Sequence, residues 1–202
     1  MLCIGAVLNI KFYENERLDT DMNYNEELVA AFMEAVSNAF LSLKKMHNEH
    51  FYYYAFIFDA GLHPYLSAWS YEALEKSMVD NKITDEEKGW WKWDYSDSPY
   101  AIYGYEEYFQ EVSELLDQRE DSISRDELYD IEWDIRVESM EEAMKRLDQA
   151  GLFGSGEERN SVVINVEIAP PDSSEYERAL RLNAASPLLS EYLEWCEKEE
   201  DD

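Results

Sequence analysis

Two periods of apolar residues alternate along the chain. At its start, Leu2, Ile4, Ala6, Leu8, Ile10 and Phe12 follow the two-residue repeat of a strand, blurred by Gly5 and Val7. From Asn25 the period lengthens. Leu28, Phe32, Val36, Ala39, Leu43 and Met46 recur every three or four residues, which predicts one amphipathic helix. Asn25 suits its N-cap, Glu26 and Glu27 complement the dipole in the first turn, and Lys44, Lys45 and His47 do so in the last. The run FYYYAFIFD, residues 51–59, is continuously aromatic and aliphatic, as a strand covered on both faces requires. Gly61 and Pro64 turn the chain, and Tyr65, Ser67 and Trp69 share one face of a second strand, predicting a hairpin.

Ser70 can cap a helix through Leu74 and Met78, and Thr84 with Glu87 has capping-box spacing. GWWKWDY, residues 89–95, alternates Trp91, Trp93 and Tyr95 and reads as a third strand or an extended aromatic loop. Residues 96–104, with Pro99 and Gly104, read as a loop, and Tyr105, Phe109, Val112 and Leu116 mark the next helix. Ser124 with Glu127 and Ser139 with Glu142 are further capping boxes, which favours two helices over 125–150. Met140, Met144 and Leu147 form one stripe there, and Gly151 is placed to stop the helix. Val162, Ile164, Val166 and Ile168 make a strand ended by Pro170 and Pro171; Ser186 and Pro187 open a last helix carrying Leu189, Tyr192, Leu193 and Cys196. The expected fold is α+β, a mainly antiparallel sheet with helices packed against it, in a single domain over 1–196 followed by an acidic disordered tail over 197–202.

Charge changes the picture more than motifs do. Of 202 residues 46 are acidic and 17 basic, a formal net charge of −29. That excludes a generic nucleic-acid or anionic-membrane surface, both of which need basic footprints, and leaves cationic partners open. The 14% aromatic content, with six Trp and fifteen Tyr, argues for a folded core despite the charge. Met1 to Tyr13 lacks a basic n-region, and no apolar run approaches a membrane span, so a cytoplasmic location is expected. Cys3 and Cys196 form no disulfide or metal motif.

Candidate chemistry is sparse. His47, His50 and His63 lack zinc-signature spacing, and DYSDS, residues 94–98, lacks the glycine and terminal glutamate of a calcium loop. The glycines of GLFGSG, residues 151–156, follow a helix and precede a strand, the reverse of a phosphate loop. No cofactor, metal or catalytic residue is expected. Between Glu106 and Glu142, however, fifteen acidic residues face three arginines, a local net charge of −12. Such a patch is either a solvated face or a surface for a cationic partner, with Glu106, Glu107, Glu111, Glu114 and Asp117 as its candidate contact residues. Trp90, Trp91, Trp93, Tyr95, Tyr100, Tyr103 and Tyr105 belong mainly to the core and its rim, with a minority available as interface anchors.

Four segments together carry a family likeness: YYYAFIFD with its proline-containing turn, YGYEEYFQEVSELLD, MEEAMKRLDQAGLFG before a strand, and RLN near the last helix. Over roughly residues 25–195 the chain resembles domain-of-unknown-function family 4303, bacterial proteins associated with polymorphic-toxin and immunity loci. It departs from the family at Trp69 and Ser70, where members often carry an Asn-Thr pair. The resemblance implies an immunity protein that neutralises a basic toxin, such as a nuclease, by direct binding without enzymatic activity. The alternative is a small-molecule sensor or enzyme with a pocket between sheet and helices, lined by Tyr53, Trp69 or Trp93. A third possibility, a chaperone-like acidic module, differs in expecting weak binding to many basic proteins.

Overall fold

A nine-residue run with no polar face has to be covered on both sides, and the layering follows from it. In a computed structural model describing residues 24–59, 63–124, 131–170 and 173–199, FYYYAFIFD forms β1 (Phe51–Asp59), the middle of a three-stranded sheet ordered β2-β1-β3. β2 (Pro64–Ser70) is antiparallel to β1, as the hairpin predicts. β3 (Val163–Ala169) lies parallel to β1, pairing Tyr53 with Val163 through Asp59 with Ala169. The sheet is therefore mixed, which corrects the mainly antiparallel expectation. The long helical stretch between β2 and β3 returns the chain to the end of the sheet where β1 starts, as a parallel pair requires. A register irregularity between Phe51 and Tyr53 breaks the alternation, so Tyr52 and Tyr53 both join the same core.

One face carries Tyr54, Phe56, Phe58, Ile164 and Val166 under α1 (Glu26–Met46), α4 (Tyr105–Tyr108), α5 (Gln110–Glu120) and α6 (Trp133–Gln149). Phe32 of α1 meets Phe56 edge-on at 5.4 Å. Each fully buried ring or aliphatic chain there contributes about 1.5–3 kcal/mol. The opposite face carries Tyr53, Ala55, Ile57 and Trp69 under α2 (Tyr71–Asn81), α3 (Lys88–Trp93), α8 (Glu175–Leu182) and α9 (Pro187–Glu199). A four-residue turn, α7 (Glu157–Asn160), precedes β3. The class is α+β, with helices on both faces of a small sheet.

Side-chain caps open three of the described helices. Asn25 accepts the Leu28 amide at 3.0 Å, Ser70 the Ala73 amide at 2.9 Å and Ser186 the Leu189 amide at 3.1 Å, as expected at all three sites. After α6, Gly151 takes φ +82° while its amide bonds the Asp148 carbonyl and the Leu152 amide the Leu147 carbonyl, the paired bonds of a left-handed helix stop. Ser139 departs from its expected role. It lies inside α6, donates to the Ile135 carbonyl at 2.6 Å and accepts the Asn25 amide at 2.9 Å, so its hydroxyl is satisfied without ending the helix.

GWWKWDY is the other correction, since residues 88–93 are helical rather than extended. The Glu87 carboxylate binds both the amide and hydroxyl of Thr84 at 2.8 Å, and the Lys88 amide reaches the Thr84 carbonyl. A helical turn is thus already closed before the tryptophans begin. The expected strand at 2–12, the glycine turn at 60–62 and the partner Glu127 of Ser124 lie outside the described residues. α9 runs to Glu199, three residues into the stretch expected as a disordered tail.

Candidate functional site

The acidic stretch divides into two parts with different chemistry. In its C-terminal part Glu120, Glu132, Glu141 and Glu142 are paired with arginines. Arg119 grips Glu132 with Nε and Nη2 at 2.6 and 2.7 Å, and fully buried Arg136 bridges Glu132 at 3.1 Å, Glu120 at 2.9 Å and the Leu116 carbonyl at 3.2 Å. Burial pushes the Glu132 carboxyl up, but hydrogen bonds from Arg119 and Arg136 outweigh it and leave the group below its ordinary value. Arg146 binds Glu142 and Glu26, and Arg181 binds Glu141. These pairs fasten α5 to α6, α6 to α1 and α8 to α6, so they act in the fold.

The N-terminal part differs. Glu106, Glu107, Glu111, Glu114 and Asp117 are all exposed on α4 and α5. Asp117 meets His63 Nε2 at 3.1 Å, and Glu114 accepts the Gln110 amide at 3.2 Å. Glu107 and Glu111 turn toward α1, where they meet Glu27 and Glu34 across a groove of about 470 Å³. Ala31, Ala35, Val112 and Leu115 supply its apolar lining. Among the described residues no Lys or Arg forms an ion pair with any of these four carboxylates.

Helix geometry explains the groove. On α1 the residues Leu28, Phe32, Val36 and Leu43 face the sheet, which leaves Glu27, Ala31, Glu34 and Asn38 in a stripe along one flank. The small side chains Ala31 and Ala35 leave a furrow there. On the other wall the helix breaks at Phe109 (φ −107°, ψ 3°) between α4 and α5; its buried ring packs on Phe56 and the preceding Glu107 and Tyr108 line the groove. Reasoning from local charge density finds Glu107 and Glu111 but not Glu27 and Glu34, which lie outside the dense stretch. The i, i+7 spacing of the two glutamates around Ala31 was the available signal.

Other candidates separate in space. His50 pairs with Glu72 at 2.6 Å, His63 with Asp117, and His47 contacts the Tyr100 hydroxyl at 3.3 Å. No group of three or more His, Cys, Asp or Glu among the described residues is arranged to hold a metal ion. Asp94 accepts the amide and hydroxyl of Ser96, as a polar turn does. Tyr53, Trp69 and Trp93 are buried in packed contacts; the Tyr53 hydroxyl bonds Glu167 and the Trp69 indole N–H the Asp94 carbonyl. Of the aromatic cluster Trp90 is the most exposed, at 43%, and touches Trp195 at 6.5 Å between ring centres.

Fold and groove define a class: an α+β domain whose small mixed sheet is covered on both faces and which presents an acidic helix-lined furrow. No described helix is long and apolar enough to cross a membrane. The family model for a domain of unknown function (DUF4303) matches residues 31–184, most of the chain, and the protein belongs to that family. No curated protein matches the chain. No solved structure matches it.

Proposed function

We infer that this protein is a non-enzymatic binding protein that receives a cationic surface of a protein partner in the groove between α1 and α5. What carries this reading is the set of Glu27, Glu34, Glu107 and Glu111, four exposed carboxylates around an apolar floor with no ion-pair partner among the described residues. Mutual repulsion makes such an arrangement costly, and a partner that brings lysine or arginine relieves the repulsion while burying the alanine and leucine floor. The net charge of −29 extends the attraction beyond contact and accelerates encounter at low salt. The resemblance to a family associated with polymorphic-toxin and immunity loci makes a basic toxin the partner of choice, and the protein an immunity factor acting in the cytoplasm.

The test is binding to the purified product of the adjacent gene, measured at rising salt with the natural chain and with Glu107→Lys combined with Glu111→Lys. The expected result is a stoichiometric complex whose association slows about tenfold in the double variant and steeply with salt. Salt-insensitive binding, or equal rates for the two proteins, overturns the assignment of the groove.

A further inference from the structure

The second core contains one carboxylate that the binding role does not use. Glu167 of β3 is buried, and its Oε1 accepts the hydroxyls of Tyr53 and Tyr192 at 2.5 Å each and the Asn165 amide at 3.2 Å. Asn165 Nδ2 also donates to the Tyr192 hydroxyl at 2.8 Å and to the Glu175 carbonyl at 3.1 Å. Asn165 Oδ1 is buried without a donor among the described residues, which leaves the cluster short of protons to share. The groups around the carboxyl come from every neighbouring element: Tyr53 from β1, Glu175 and Arg178 from α8, Tyr192 and Cys196 from α9, and Tyr95 from the segment after α3. Burial raises the Glu167 carboxyl most, the two phenols oppose that, Glu175 raises it and Arg178 lowers it; it is held up to about 7.

Tyr192 makes this cluster the polar anchor of α9 on the sheet. The next residue back, Glu191, holds the Lys92 ammonium at 2.7 Å, and Lys92 lies over the rings of Tyr52, Tyr71 and Trp93. α3 is thereby tied to α9, and its exposed Trp90 rests on Trp195 of the same helix. We propose that Glu167 is a proton-controlled latch: with its proton it holds α9 flat on the sheet, and its ionisation lets α9 swing away with α3 and the Trp90 and Trp195 surface. The linkage is direct. Lifting α9 hydrates the carboxyl and returns it to ordinary acidity, so each proton lost from the closed form favours the open one.

Hydrogen exchange of the α9 amides between pH 5 and 9, corrected for the intrinsic rate, reads the opening equilibrium. In the natural protein opening increases by up to about tenfold per pH unit up to neutrality and then levels off. In Glu167→Gln it is independent of pH. In Tyr192→Phe, which removes one donor that favours the ionised carboxyl, the levelling moves up by about one pH unit. Infrared spectra give an independent readout, since the carbonyl stretch of a buried carboxylic acid disappears through the same range and is missing from Glu167→Gln. If Glu167→Gln does not fold, the shift in Tyr192→Phe decides alone. A flat profile in the natural protein, or an unshifted one in Tyr192→Phe, overturns the latch.

Discussion

Replacing Arg136 with methionine tests whether buried charge positions the groove. The guanidinium is fully buried and, among its contacts with described residues, reaches Glu132, Glu120 and the Leu116 carbonyl. Methionine keeps most of the apolar stem and loses all three. Removing one partner of a buried ion pair costs about 3–5 kcal/mol, because the remaining charge stays desolvated. Two features place this site at the lower end. Glu132 keeps both of its bonds from Arg119, and the Glu120 side chain is 30% exposed and can rehydrate. The expected loss is therefore about 3 kcal/mol, and with a urea m-value of about 2 kcal/mol/M the midpoint falls by about 1.5 M. Because Arg136 ties α6 to the Leu116 and Glu120 end of α5, amide exchange in α5 should rise more than in α1. A double-mutant cycle with Glu132→Gln should return a coupling above about 1 kcal/mol. A single-variant loss below about 1 kcal/mol, or an additive cycle, refutes the claim that this network holds the α5 wall in place.

Three further outcomes follow from named residues. Glu167 has a folded-state value of about 7 against an ordinary 4.5, so the native state holds an extra proton between these limits. Its stabilising contribution is complete below pH 4.5 and is lost as pH rises to 7; denaturation of Glu167→Gln and natural protein should diverge in the variant's favour by about 3 kcal/mol across that window, and parallel curves would contradict the burial of the carboxyl. Gly151→Ala meets no neighbouring atom within 4 Å but must hold φ +82°, so thermal unfolding should show a loss of about 1 kcal/mol with no change in fold by circular dichroism. Glu111→Gln relieves repulsion in the groove and should raise the denaturation midpoint at low ionic strength, an effect that fades as the Debye length falls to about 3 Å at 1 M salt; destabilisation at low salt would show that the groove carboxylates are not in conflict.

The apolar pattern by itself specified α1, β1, β2, the stripe of α6, β3 and α9, because burial of a helix stripe or an apolar strand is written in residue order. Short-range hydrogen bonds were equally legible: Asn25, Ser70, Ser186 and Gly151 end their helices through atoms within a few residues. What depended on distant partners was not. Ser139 looks like a cap until the Asn25 amide and the Ile135 carbonyl satisfy its hydroxyl inside a helix, and the alternating tryptophans of GWWKWDY look extended until the Thr84 and Glu87 turn sets them helical. Strand direction was of the same kind, since the parallel pairing of β3 depends on where a long helical excursion returns.

Charge shows the division most clearly. The sequence determined that the protein is strongly anionic, since net charge is a sum that needs no coordinates. Only the tertiary structure decided which carboxylates are spent and which remain. Arginines neutralise Glu120, Glu132, Glu141 and Glu142, while Glu27 and Glu34 are brought from eighty residues away in the chain to face Glu107 and Glu111. Electrostatic interaction depends on distance and dielectric in three dimensions, and neither can be read from positions along a chain.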